Sequence, residues 1–193
     1  FCGWEQVPLA RLRLFVAYLC TLFFYLSVEW ATPALGTTLQ DARLLAIDRA
    51  LFMETPALWM EDRMVPWVTD LLSFCYMSYH PYLLLVLLMA LFGPVVQARL
   101  LGNYIFTNFA VGLTGYFLVP AIGPLRYLEF KEAPKGSFLT DLNHEFISSS
   151  TSIYDVFPSL HVMITAALLY YDWRYHRLRF WLILPIALLL GVS

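Results

Sequence analysis

Two short segments of the chain hold residue types suited to handling a phosphate. One is Val119-Pro120-Ala121-Ile122-Gly123-Pro124-Leu125-Arg126; the other is Asp155-Val156-Phe157-Pro158-Ser159-Leu160-His161. An arginine guanidinium is a planar fork of donors that stays charged and matches phosphate oxygens. A histidine titrates near neutral pH and can hand a proton to a leaving oxygen. Ser159 and the backbone N–H groups from Leu160 onward, at the start of a new helix, can hold an anion. Arg126 and His161 are therefore the candidate catalytic residues, with Ser159 and Leu160 at the substrate. Taken singly, Arg126 would more often be a snorkelling interfacial residue, and His161 a packed, hydrogen-bonded ring. Together on one face they read as a phosphoryl site.

The other histidines read differently. His80 precedes Pro81 inside an apolar window. An intramembrane histidine is a functional candidate by default, but Tyr76, Tyr79 and Pro81 around it favour a kink with a hydrogen-bonded ring. His144 sits in Asp141-Leu142-Asn143-His144-Glu145, which reads as a solvated polar loop or, less readily, a lid over headgroups. His176 lies among arginines and serves topology. Ser148-Ser149-Ser150-Thr151-Ser152 reads as flexible loop.

The elements that must position these residues follow from charge-free windows. A bilayer core needs about 20 apolar residues per helix, because no water there satisfies backbone groups. The first window runs from Leu14 to Val28 and on through Glu29 and Trp30 toward Pro33. The second lies between Asp70 and Arg99, the third between Arg99 and Arg126, and the fourth between Asp155 and Asp172. The fifth begins at Phe180. The first of the two segments closes the third window and the second opens the fourth, so both meet the membrane on one side.

Two longer connections, roughly 34–65 and 123–157, share that side. The short connections at Arg99 and across Arg174–Arg179 share the other with Arg11 and Arg13. Lys and Arg total six on each side, but the short loops are denser in arginine and almost free of acid. Such loops mark the cytoplasmic side, so the long loops and the site are expected outside or in the lumen. Thr38–Phe52 reads as a helix along the interface, with Asp41, Leu45 and Asp48 near one face, packing on the spans rather than acting in catalysis. Trp59, Trp67 and Tyr79 are expected to anchor helix ends at headgroup level.

Composition agrees. The chain is 60% hydrophobic, 17% aromatic and only 13% charged, where a soluble domain carries about 25% charged residues. Its mean hydropathy is +0.66. A net charge of -2 leaves no basic patch, so nucleic acid is excluded as a partner. Cys2, Cys20 and Cys75 are scattered without a C-x-x-C pair, and the latter two read as buried free thiols. No carboxylate cluster accompanies Arg126 and His161, so neither a metal nor another cofactor is implied. No cleavable signal sequence is read. The expected fold is an all-α, polytopic transmembrane bundle, with about five spans within one membrane domain over residues 1–193.

Phe157-Pro158-Ser159-Leu160-His161 resembles the second signature of the type 2 phosphatidic acid phosphatase superfamily, usually Pro-Ser-Gly-His. Its Phe-Pro-Ser-Leu-His form is similar to the branch that includes inositol phosphorylceramide synthases and many bacterial relatives. Gly123-Pro124-Leu125-Arg126 resembles the first signature, which ends in an arginine. The resemblance covers roughly residues 40–193. Two departures stand out. Val119 occupies the place, seven residues before the arginine, where the first signature often has a lysine, and Leu160 replaces the usual glycine. Both fit the synthase-like branch better than the lipid phosphatases. Lys131 or Lys135 is a candidate for the missing charge, though a solvated loop lysine is the commoner role.

The resemblance implies a membrane lipid phosphate ester as substrate and a phosphohistidine intermediate. Arg126 and amides near Ser159 would stabilise phosphoryl charge, and His161 would protonate the leaving alcohol. The acceptor would be water or a second hydroxyl such as that of ceramide. Ser193 stands where the third signature opens, so it joins the expected substrate contacts. The nucleophilic histidine and its aspartate are expected beyond it, and residues 1–193 alone are expected to be inactive. The rival readings are a transporter-like subunit or a superfamily member that binds lipid without turning it over. Transporters place polar groups near mid-bilayer and often show inverted repeats; no internal repeat is found here, and the polar constellation lies at a span end. Oligomeric state is open.

Overall fold

Proline and glycine set most helix boundaries in this chain. Proline is tolerated in the first turn, where its missing N–H has no intrahelical partner anyway, but it disrupts a helix interior. A computed structural model describes residues 6–61, 63–130, 136–149 and 152–192. Among these, all regular structure is helical. Helix α1 (Gln6–Ala34) is followed by Gly36 at φ +62°. Then come α2 (Asp41–Phe52), α3 (Pro56–Glu61), α4 (Pro66–Met77) and α5 (Tyr79–Phe92). Helix α4 starts on Pro66, and α6 (Val95–Leu118) starts just after Pro94. The single turn α7 (Pro124–Tyr127), α8 (Phe138–Ser148), α9 (Leu160–Tyr175) and α10 (Arg177–Leu190) complete the order.

All five apolar windows fall on helix. Two stretches, Arg11–Ala34 and Pro66–Phe92, are long and apolar enough to cross a membrane. The second is α4 and α5 run together through Ser78, where the helix is interrupted. The cause is Pro81, which has no N–H for the Met77 carbonyl one turn earlier. The other windows differ in length or polarity. At 16 and 14 residues, α9 and α10 fall short of the roughly 20 that a bilayer core requires. Helix α6 has the length, but Gln97, Arg99, Asn103 and Asn108 interrupt its apolar run.

Helix α6 is the axis of the core. It packs against α1, α5 and α9, while α4 packs against α8 and α10. Leu101, Ile105 and Tyr116 of α6 meet Val28 of α1, Val86 of α5, and Ile164 and Leu168 of α9 in one buried cluster. Outward, α1 presents Phe15, Leu19, Phe23 and Trp30. Large apolar side chains on the outer face of a helix are unusual where the neighbour is water.

Several local expectations change. The segment 141–145, read as a loop, lies within α8, whose first turn is anchored by a carboxylate from α4. Asp70 accepts from the Ser137 N–H at 2.9 Å and hydroxyl at 2.6 Å, and from the Thr140 N–H at 3.2 Å and hydroxyl at 2.8 Å. Four donors on one carboxylate, beside the positive end of a helix, stabilise that start. Ser148 is helical and Ser152 is buried, so the expected flexible run is shorter than 148–152; residues 150 and 151 fall outside the described residues. Cys75 is a buried free thiol as expected, Cys20 is exposed on α1, and Cys2 lies outside the described residues.

Asp172, fully buried near the end of α9, is held from two sides. Tyr82 Oη donates to it at 2.8 Å and Arg179 Nε at 2.7 Å, with a second ion-pair contact from Arg179 Nη2. Removing the carboxylate leaves a largely buried guanidinium unpaired, which costs about 3 kcal/mol. Asp172→Ala is expected to lower stability by about that much in detergent-solubilised protein, measured by denaturant unfolding. Wild-type stability in that variant would contradict the account of this pair.

Candidate functional site

The site begins with how closely two segments approach each other. Where Phe157–Leu160 crosses α6, the helix carries Gly112 and Gly115. A Cβ at Gly115 would lie 2.2 Å from Pro158 Cδ, and one at Gly112 would lie 2.5 Å from Leu160 Cδ2. Only hydrogen at those positions admits the segment, which contains a cis Phe157–Pro158 bond. Gly123 makes the third contact. Its φ of +78° is a left-handed conformation that costs most residues energy, and a Cβ there would lie 2.9 Å from Val156 Cγ1. The two signature segments are thus packed directly against each other.

Carboxylates fix the loops on either side. Asp41, at the start of α2 and 3% exposed, accepts from the Ile122 N–H at 3.1 Å and from the Gly123 N–H at 2.8 Å. The Gln40 N–H donates to the Pro120 carbonyl at 2.8 Å. Helix α2 buries Asp41 and Leu45, and its first residue holds the turn that leads into Arg126. On the other side, the Ile153 N–H donates to Glu29 Oε2 at 2.8 Å, and the Tyr25 hydroxyl donates to Asp155 Oδ2. Burial pushes the Asp155 carboxyl above the usual range, while the Tyr25 hydrogen bond and the Arg126 charge work the other way.

Between these segments lies a cavity of about 610 Å³. Arg126, Ser159 and His161 all line it, together with Asp155, Tyr25 and His80. Arg126 sits in the last turn of α7, with its N–H on the Gly123 carbonyl at 3.2 Å. Ser159 is the N-cap of α9, and its Oγ accepts from the Val162 N–H at 3.4 Å. A hydroxyl that accepts there still has its own proton to donate. His161 stands in the first turn of α9 with its ring against Tyr79 at 4.6 Å and Tyr76 at 4.8 Å between centroids. The side chain of Leu160 turns into the core, where it is 4% exposed, so its backbone N–H at the start of α9 is the group left for the expected role at the substrate. Ser193, Lys131 and Lys135 lie outside the described residues.

The cavity wall includes residues whose sequence context points elsewhere. His80 was read as the ring of a kink; it lines the cavity, 5.7 Å from His161 and 4.9 Å from Phe146 between ring centroids. Tyr79, expected at the headgroups, is 7% exposed because its ring packs between those of His80 and His161. Trp59 and Trp67 are exposed. Asp41 and Tyr25 had no role assigned at the site. The only available signal was an acidic or hydroxyl side chain on an otherwise apolar helix face. Among the described residues no group of three or more His, Cys, Asp or Glu gathers as a metal site.

A guanidinium, a hydroxyl at a helix start and an imidazole on one wall can bind a tetrahedral oxyanion and exchange a proton with it. Residues 42–193 match the family model described as the PAP2 superfamily. No curated protein matches the chain, and no solved structure does.

Asp41→Ala removes the acceptor from two backbone N–H groups near the cavity. Losing hydrogen bonds to a charged partner costs about 2 kcal/mol. The Ile122 and Gly123 amides are expected to exchange with deuterium at least about tenfold faster in the variant. Exchange at the wild-type rate would show that Asp41 does not hold this turn.

Proposed function

We propose, since the chain belongs to the PAP2 superfamily, that it moves a phosphoryl group from a membrane lipid phosphate ester through a phosphohistidine. Membership points to phosphatase or phosphotransferase activity on phosphate esters. One observation carries the assignment of residues: Arg126 and His161, from separate segments, line the same cavity as Ser159.

In this reading the nucleophile is the histidine of the signature that Ser193 would open. Its nitrogen attacks phosphorus, and the bond from phosphorus to the ester oxygen breaks. Arg126 pairs with the phosphoryl oxygens as negative charge builds on them, joined by the Ser159 hydroxyl and the N–H groups at the start of α9. His161 gives its proton to the departing oxygen. Hydrolysis or transfer then returns the nucleophile to its starting state. No residue assigned here needs a metal.

We place the chain in the membrane as a single domain of about five spans, with the site on the non-cytosolic side. The two long apolar stretches, the outward phenylalanines of α1 and the arginine-dense short loops support this. The synthase-like branch is favoured by Leu160. Where the superfamily usually has glycine, this side chain fills the space above Gly112 of α6, so leucine in the motif and glycine on the helix form a matched pair.

In the full-length protein, His161→Ala and Arg126→Ala are each expected to slow release or transfer of phosphate from a lipid phosphate by at least about a hundredfold. The unfolding temperature should stay near that of the wild type. Near-normal turnover by either variant would defeat the assignment.

A further inference from the structure

The phosphoryl-transfer steps leave one chamber histidine, His80, without a task. It is the second residue of α5, in the turn where Pro81 interrupts the Pro66–Phe92 stretch. It is exposed, and it lines the same cavity as Arg126, Ser159 and His161. Its ring lies steeply inclined to that of His161, with 5.7 Å between centroids and 70° between planes. Phe146 of α8 packs on it at 4.9 Å.

Pro81 sets how that ring can be used. Lacking an N–H, it leaves the Met77 carbonyl without its helical partner. The His80 ring donates to that carbonyl instead. One ring nitrogen is therefore already committed as a donor. A proton taken up by this ring must go to its other nitrogen, and the imidazolium then has a second N–H to give. The kink thus fixes a histidine with one nitrogen on the backbone and one to spare, on the wall of an anion-binding chamber.

The charges around the chamber give that spare nitrogen its use. Arg126 brings one positive charge, but the Asp155 carboxylate interacts with it. A phosphate dianion entering there gains from a further cation. His161 gives its proton away to the departing oxygen, whereas a proton on His80 can stay. Resting on the phosphoryl-transfer reading above, we propose that His80 is a second cation for the bound phosphate. In its protonated form it donates one N–H to Met77 and the other to a phosphoryl oxygen. The anion is then held by a permanent charge from α7 and by a proton-dependent charge from α5. Binding takes up a proton, so affinity falls as the pH rises through the range where histidines titrate. The other ionisable groups facing the chamber are Tyr25, Tyr76, Arg126, Asp155 and His161, with Tyr79 against the His80 ring. Arginine and tyrosine keep their ordinary charge near neutral pH, so Asp155 and His161 are the competing sources of pH dependence.

Sulfate is the probe, because it is tetrahedral and stays a dianion across this range. Its affinity for the detergent-solubilised full-length protein is measured by calorimetry at about pH 6 and about pH 8. The wild type should bind about tenfold more tightly at the lower pH, the effect of one charged hydrogen bond. His80→Gln, which keeps a donor for Met77 but cannot take the charge, should lose about that factor at the lower pH and flatten the profile. His161→Gln and Asp155→Asn should each keep the slope. A wild-type affinity and slope in His80→Gln, or a slope that vanishes in either control instead, would overturn the proposal. Histidine nitrogen NMR of the wild type checks it without any substitution: the His80 ring should become an imidazolium when sulfate saturates near neutral pH, and a ring that stays neutral would overturn it. If the wild type turns over lipid phosphate while His80→Gln binds as the wild type does, the inference fails and the phosphoryl-transfer reading stands. Sulfate held through His80 by a wild type that turns over no lipid phosphate would sink that reading and leave a proton-linked anion site.

Discussion

Everything at the site depends on how near the Phe157–Leu160 segment can come to α6. Two glycines one helical turn apart, Gly112 and Gly115, remove the side chains that would hold it off. Leu160 then drops into the core as a knob over Gly112, and α9 begins at that residue. The register of α9 follows, because a helix locked at its first residue has its remaining faces set. His161 is turned toward the cavity, while Leu160, Ile164 and Leu168 turn toward α6. Gly123 repeats the device on the facing loop, under Val156. One packing constraint thus converts two separate sequence segments into the walls of one chamber.

Carboxylates hold what the packing positions. Asp41 gathers the N–H groups of the turn before Arg126, Glu29 gathers that of Ile153, and Asp70 anchors α8 over α4. Each reaches across the fold to backbone that no regular helix satisfies. Such groups need partners wherever water is scarce, and an ionised acceptor makes the stronger bond. Tyr25 and Asp155 form a further link from α1 to the segment before α9. At the other end of α9, Asp172 with Tyr82 and Arg179 ties three helices together. The chamber is therefore braced at its loops and its far end by polar contacts, within a bundle whose bulk is apolar.

Local patterns were the legible part of the chain. The windows became helices because apolar runs bounded by proline, glycine and charge leave few other structures open. Arg126, Ser159 and His161 could be singled out because each lies in a short run with a recognisable order of residue types. Partnerships across long separations were not legible. Asp41 looked like one face of a surface helix, since nothing near it in sequence announces Ile122 and Gly123. Asp70 looked like a window boundary, because Ser137 and Thr140 lie far along the chain. Tyr79 was misplaced for a related reason: an aromatic ring at a helix end suits the headgroup region and a stacked histidine equally well. The motif places the Leu160 N–H at a helix start but does not say which way the side chain faces. Only the register imposed by Gly112 decides that.

The central claim is that one phosphate is held jointly by the guanidinium of Arg126 and the imidazole of His161. Its most direct measurement is NMR of histidine-labelled full-length protein titrated with orthophosphate. The His161 ring signals should shift in a saturable manner, and Arg126→Ala should abolish that response at the same phosphate concentrations. Ring signals that ignore phosphate, or that respond identically without the Arg126 side chain, would contradict the account.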